Sequence, residues 1–261
     1  VVSTADLDEL MRLGWPALSE VEVSGWIARL SDGVSRRANS VLPAAAPNDL
    51  ENALARVEQL YGDHGLAPTF QLSPAAQPVA LDEVLACRGY ELQGPTAVHV
   101  AVIKDVLRQL PPSTTNVRVL DEPDADWFDL WWSVDGRGGA TARAVARHIL
   151  TSCPALYAST VDRAGVTAVG RVALVGEWAG VYCMAVRADV RRRGLAMSVM
   201  RALLKHATDR DGRSTWLQVI ADNLPARTLY ERVGFVQASK YHYRTRGHTI
   251  RTPQPPSGAD R

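Results

Sequence analysis

The chain has 261 residues, 46% of them hydrophobic, and a formal net charge of +1. That is enough apolar content for one large or two modest cores, and near-neutral, well-mixed charge excludes the global field that would draw nucleic acid or an anionic membrane. No apolar run approaches the roughly 18 residues of a membrane helix, and a start holding Asp6, Asp8 and Glu9 is unlike a signal peptide, so a cytoplasmic protein, monomer or homodimer, is expected.

Leu7, Leu10, Met11 and Leu13 predict a first helix, followed after Pro16 by a strand over 21–30. Ser31-Asp32-Gly33 turns the chain into a returning strand over 34–42, which makes a hairpin. A helix over 50–61, capped by Asn48 or Asp49, ends at Gly62 and Gly65. A short strand at 69–72, a helix at 81–87 and a strand at 97–103 complete a first unit, 1–110. Pro111-Pro112-Ser113-Thr114-Thr115 reads as the linker to a second unit, 111–246. That unit opens with a strand at 117–120 and helices at 124–132 and 140–150. Between the helices lies Asp135-Gly136-Arg137-Gly138-Gly139, a loop without the ending of a nucleotide P-loop. Strands follow at 156–161, 166–175 and 178–186, then a helix to about 209, a strand at 215–220, a helix at 223–233 and a last strand at 241–245. Residues 247–261 carry little apolar content and are expected to be disordered. Cys87, Cys153, Cys183 and the six histidines lack disulfide or zinc spacing, so no metal is expected.

Residues 181–196 stand out. Six apolar or aromatic residues, 181–186, read as a strand buried on both faces, and from Leu195 the apolar period turns helical. Between them lies the basic turn Arg191-Arg192-Arg193-Gly194. The free amides and positive dipole end of a helix start suit an anion, at roughly 0.3–1 kcal/mol for the dipole. Gly194 lets an anion approach the backbone, and three guanidiniums supply donors. The plainer reading is a solvated basic helix start.

The two halves repeat one order of elements. Gln71 to Pro78 and Gln218 to Pro225 each span seven residues after a strand, and Gly89-Tyr90 closes a helix as Gly234-Phe235 does. The chemistry is not repeated: where the second half has 191–196, the first has 43–49, with no glycine, no basic residue and an acid at the helix start. Such a start repels an anion, so only the second half should bind a phosphorylated ligand.

Two motifs in the second half resemble those of the GNAT superfamily of acyl-CoA-dependent N-acetyltransferases. Arg191-Arg192-Arg193-Gly194-Leu195-Ala196 is similar to the family's pyrophosphate loop, Arg/Gln-x-x-Gly-x-Gly/Ala, and follows a strand ending Met184-Ala185-Val186. Asn223-x-x-Ala226-x-x-Leu229-Tyr230-x-x-x-Gly234-Phe235 is similar to the motif of the helix beside the pantetheine arm. The resemblance covers about residues 115–246 and implies an α/β (α+β) fold of two tandem GNAT-like domains, the first a degenerate copy without the cofactor loop. Each would be a mixed, mostly antiparallel sheet flanked by helices. It further implies acetyl-CoA as co-substrate. Backbone groups of Met184, Ala185 and Val186 would meet the pantetheine and amides of Arg192 to Ala196 the pyrophosphate. Asn223 and Ala226 would line the cofactor, and Tyr230 would stand near the sulfur.

Tyr230 suits a general acid, because a phenol of pKa about 10 is protonated at neutral pH and can supply a departing thiolate with its proton. The acceptor amine, on a small molecule or a protein, must lose a proton first. In many family members a glutamate serves as base six residues before the position matching Val186; here that position is Gly180. Glu177 reads as a solvated turn residue, Tyr182 as either a pocket wall or core packing, and Cys183 as facing away from both Gly180 and Tyr182 by strand alternation. Two functions lead: an N-acetyltransferase using direct transfer, and a catalytically silent acyl-CoA-binding sensor or scaffold. A third, a basic nucleic-acid-binding module, rests on Arg191 to Arg193 and on Arg36-Arg37, and the near-neutral net charge speaks against it.

Overall fold

The computed structural model describes residues 2–247, so the expected tail lies, from residue 248 onward, outside the described residues. Helix α1 (Thr4–Gly14) opens on a capping box, in which Ser3 and Asp6 satisfy each other's backbone N–H groups. Next come β1 (Ser19–Val23), β2 (Trp26–Leu30), β3 (Val41–Leu42), α2 (Leu50–Asp63), β4 (Thr69–Leu72), α3 (Leu81–Cys87), β5 (Glu91–Val102) and α4 (Ile103–Gln109). The second half runs β6 (Arg118–Leu120), α5 (Ala125–Asp135), α6 (Ala140–Thr151), β7 (Ala155–Asp162), β8 (Gly165–Val175), β9 (Trp178–Val186), α7 (Leu195–Thr208), β10 (Ser214–Ile220), α8 (Leu224–Arg232) and β11 (Val236–Thr245).

Three local expectations give way. The strand expected over 21–30 is a hairpin, β1 and β2, turned at Ser24 and Gly25 with φ of 53° and 85°. The returning strand shrinks to β3 because Asn39 takes over the preceding loop. Its Oδ1 accepts the N–H groups of Ser31 and Gly33, and its Nδ2 donates to the carbonyls of Val34 and Ser35. Those groups have no need of a ladder. β5 starts at Glu91 rather than 97, since Gly94 and Pro95 sit at an irregularity in its pairing with β11 that a strand tolerates.

All the strands form one mixed, mostly antiparallel sheet in the order β1-β2-β3-β4-β11-β5-β10-β9-β8-β7-β6. Only β3–β4 and β9–β10 are parallel among the described pairs. At the centre β5 and β11, the last strands of the two halves, lie side by side. Each also pairs with the other half's preceding strand, β5 with β10 and β11 with β4. Alternate residues of β10 divide between two core clusters, one on each face. Trp216 enters the first, with Leu7 and Trp15 near α1, Trp127 and Trp131 of α5 and Ile149 of α6. Leu217 and Val219 enter the second, with Val199, Leu203 and Leu204 of α7. A third cluster, around Trp26, Leu54, Tyr61 and Phe70, holds the first half.

Arg171 of β8 is fully buried and has no carboxylate partner among the described residues. Its guanidinium donates to the carbonyl of Gly14 at 3.0 Å, at the end of α1, and to that of Leu150 at 3.1 Å, near the end of α6. Helix C-termini carry partial negative charge, which suits a cation there. No helix among the described residues is long and apolar enough to cross a membrane.

Candidate functional site

The predicted residues converge where β9 and β10 part. The parallel ladder joins Trp178 through Val181 to Ser214 through Leu217 and then stops, while Gln218 to Ile220 continue to pair with β5. On its other side β9 slips against β8: Val169 faces Ala185 and Arg171 faces Tyr182, which leaves Cys183 and Met184 opposite one residue, Gly170. This bulge holds Cys183 at φ 55° and bends the strand away from β10. Met184, Ala185 and Val186 therefore turn toward the gap an edge of backbone that no strand covers.

The bulge also corrects the alternation argument for Cys183. The inserted residue puts Cys183 against the cluster that holds Tyr182, and Met184 against the opposite one. Burial pushes the Cys183 thiol up to about 12. It is a protonated wall residue, unsuited to attack as a thiolate.

Beyond β9 the chain passes a short 3₁₀ turn, Ala188–Val190, and reaches Arg192 at φ 62° and Gly194 at φ 79°. Left-handed backbone at these two positions curls the loop onto the start of α7, whose first turn has no side-chain cap. Its amides stay open to a ligand. The contrast with α2 is direct: there Asp49 caps the helix, accepting the Asn52 N–H at 3.0 Å. Arg191, Arg192 and Arg193 are exposed, and Arg191 Nε donates to the Val186 carbonyl at 3.3 Å.

On α8, Asn223 is the N-cap, its Oδ1 accepting the Ala226 N–H at 3.2 Å. Tyr230 stands edge-on to Phe235 with ring centroids 5.9 Å apart, and burial raises its phenol above the ordinary tyrosine value. Met184, Val186, Leu195, Ala226 and Tyr230 all rest on the rim of the second cluster. Three elements thus bring five predicted residues to one apolar edge. Ala185 is buried on the other face and offers that edge its backbone alone.

A cavity of 530 Å³ opens on the first-cluster face. Cys183 lines it together with Trp131, Asp135 and Arg137 of α5 and its following loop, and with Trp15, Asp32 and Arg37 of the first half. The glycine loop supplies part of this wall, and the contribution of 32–37 has no local mark in the sequence. Glu177 lies exposed in its turn, 3.2 Å from Arg213 Nε. Tyr182 is core, and its hydroxyl accepts the Trp216 indole N–H at 3.1 Å.

Gly180 has a steric cause. A Cβ there would fall inside the Trp216 indole, so that ring takes the space of any side chain at 180. Gly180→Ala is expected to cost about 1–3 kcal/mol by overpacking, read as a lowered midpoint in thermal or urea unfolding. An unchanged midpoint would mean that the indole yields freely. Among the described residues, no three His, Cys, Asp or Glu side chains gather as a metal site requires.

A mixed sheet whose parallel strands part ahead of a left-handed loop and an uncapped helix is the fold of the GNAT acetyltransferases. The chain belongs to the family described as probable histone acetyltransferase Rv0428c C-terminal, whose model matches residues 5–244. It is 28% identical over 241 residues to the uncharacterized N-acetyltransferase YobR of Bacillus subtilis, covering 91% of this chain and 96% of that protein. It is also 33% identical over 90 residues to the [ribosomal protein bS18]-alanine N-acetyltransferase of Salmonella typhimurium, 33% of this chain and 60% of that one. Among solved structures, a GCN5-related N-acetyltransferase from Kribbella flavida superposes with a TM-score of 0.65 at 15% identity, covering 94% of this chain and 96% of that chain. A tandem GNAT protein from the clavulanic acid biosynthesis pathway gives 0.62 at 13% identity, covering 92% and 87%. The chain is a GNAT-type acetyltransferase.

Proposed function

We propose that this protein moves an acetyl group from acetyl-CoA directly to a primary amine, and that residues 111–246 carry the donor site while 1–110 are a repeat without one. The parting of β9 from β10 carries the reading, because it opens an unpaired strand edge beside an uncapped helix start. The residues present fit the donor. Backbone groups of Met184 to Val186 suit an amide-bearing arm, the amides of Arg192 to Ala196 and the guanidiniums of Arg191 to Arg193 suit a pyrophosphate, and Ala226 and Tyr230 supply an apolar wall. Asn223 holds the start of α8 in place by its cap. Acetyl-CoA would supply the acetyl group as a thioester. Tyr230, kept protonated by burial, donates to the departing sulfur, and a strand amide at the gap meets the negative charge that develops on the carbonyl oxygen. The protonated Cys183 leaves direct attack by the amine as the route.

The acceptor enters from the opposite face, through the cavity lined by Cys183 and the 135–142 loop. The family description points to a histone and the Salmonella relative to an alanine of a ribosomal protein, so an amine carried by a protein stands beside small-molecule amines. The deciding measurement is free-thiol release from acetyl-CoA across a panel of amines, with calorimetric binding of acetyl-CoA in parallel. Binding with turnover of at least one amine class is expected. Binding without release for every amine is the result a silent sensor predicts, a reading favoured by the Trp216 ring standing where a base is often found. Absence of binding would overturn both.

A further inference from the structure

The first half places a cation inside the cavity that faces the parted strands. Arg37 lies on the 3₁₀ turn Arg36–Ala38, and its guanidinium sits over the Trp15 ring at 5.5 Å from the centroid. Its Nε is buried and has no hydrogen-bond partner among the described residues. A buried donor without a partner is uncommon and calls for a ligand atom or a water. The rings of Tyr241, Tyr243 and Tyr182 lie near this group, and burial raises the phenols of Tyr243 and Tyr182 above the ordinary tyrosine value, so neither is an anion at neutral pH. Arg171, 5.6 Å from the Tyr182 ring, adds a second buried cation behind the same wall. The inner end of the cavity is therefore positive. Its mouth carries the exposed carboxylates of Asp32 and Asp135, while Arg137 turns onto the Gly136 carbonyl at 2.8 Å.

We propose that the acceptor is an α-amino compound, whose carbonyl or carboxylate oxygen takes an N–H of the Arg37 guanidinium while its amine faces the gap beside Cys183. This rests on the acetyltransferase reading above. A lone alkylammonium, as on a lysine side chain, would meet the cationic end with nothing to offer it. An amine with an oxygen acceptor three bonds away meets Arg37 with the matching group. The missing carboxylate at Gly180 points the same way. The α-amine of a chain terminus, of pKa about 7.7–8.0, is neutral several hundred times more often at pH 7 than a lysine amine of pKa about 10.4, so it asks far less of a base. In the transfer, the amine nitrogen bonds to the acetyl carbon as the carbon–sulfur bond breaks. One ammonium proton leaves to solvent through the cavity mouth before attack, and the thiolate receives its proton from Tyr230. The nitrogen sheds its second proton to solvent as the amide forms, and solvent returns a proton to Tyr230.

The test offers two acceptors with acetyl-CoA: free leucine, and a peptide with a free N-terminal leucine and one internal lysine. The site of acetylation is read by tandem mass spectrometry, and binding of each acceptor by quenching of tryptophan fluorescence, since Trp15 and Trp131 line the cavity. Acetylation of an α-amine at least tenfold faster than of the lysine is expected, and whichever arm carries it tells a free amino acid from a chain terminus. Arg37→Gln should raise the acceptor KM and weaken quenching at least tenfold, with acetyl-CoA affinity unchanged. Arg37→Lys, which keeps the charge without the planar fork of donors, should lose α-selectivity. Acetylation confined to the lysine would overturn this inference and leave the acetyltransferase reading standing. Acetylation of neither would overturn this inference and leave the acetyltransferase reading to the amine panel above, and the wild-type preference decides even if the variants do not fold.

Discussion

Tyr230→Phe is expected to lower kcat by about 10²- to 10⁴-fold, the usual contribution of a placed general acid, with little change in acetyl-CoA affinity or unfolding midpoint. The ring's contact with Phe235 and the rim of the second cluster survives the substitution, so only the hydroxyl is lost. An alkyl thiol of pKa about 8.5 departs as a thiolate that gains from a proton at hand. The phenol, raised by burial, holds that proton throughout the neutral range. The loss should therefore appear in kcat and kcat/KM alike, as expected for an interaction made in the transition state. Steady-state rates from pH 6 to 9 would check it. Equal turnover by the variant at every pH would assign the proton to another group.

The second large effect belongs to stability. Arg171→Met should cost about 2–4 kcal/mol, seen as a lower urea midpoint with an unchanged slope. A buried ion pair can often be replaced by apolar groups at no cost, because both charges leave together. Arg171 differs, since two of its partners are backbone carbonyls that stay behind. The Leu150 carbonyl keeps the Tyr157 hydroxyl, but that of Gly14 retains only a long contact of 3.6 Å from Cys153 Sγ. Gly14 ends the helix that packs the first half onto Trp216 and Tyr182, so the same variant should loosen that helix against the sheet. An unchanged midpoint would show that this carbonyl finds water at no cost.

The strands of the second half were legible because each is a continuous apolar run closed by a turn: expectations at 156–161, 166–175 and 178–186 differ from β7, β8 and β9 by a residue or so. The loop at 191–196 was legible for a related reason, since glycine and arginine before a helical period leave few other readings. β11 was placed five residues too late because 236–240 are mostly exposed and polar, and their pairing comes from β5 in the other half. α4 follows β5 without any turn residue to announce it. The fate of Cys183 turns on one inserted residue, which leaves no mark on hydrophobic period. The absence of a side chain at 180 could be read, but its cause, Trp216 on the neighbouring strand, lies 36 residues away. Arg37 was noted only as a basic residue, because its place in the cavity depends on how 32–37 meets the α5–α6 connection.

The exchange of β5 and β11 at the centre of the sheet sets the order of assembly. Until the second half exists, β5 has neither of its strand neighbours and β4 lacks one of its two. A ribosome that has released the first 110 residues holds an open sheet, whose closing contacts await residues 214–245. Such distant pairings raise contact order and slow folding. They also expose strand edges to chance partners until the last strand arrives. Once closed, the sheet joins the two halves along hydrogen-bonded strands, so neither half can drift from the other.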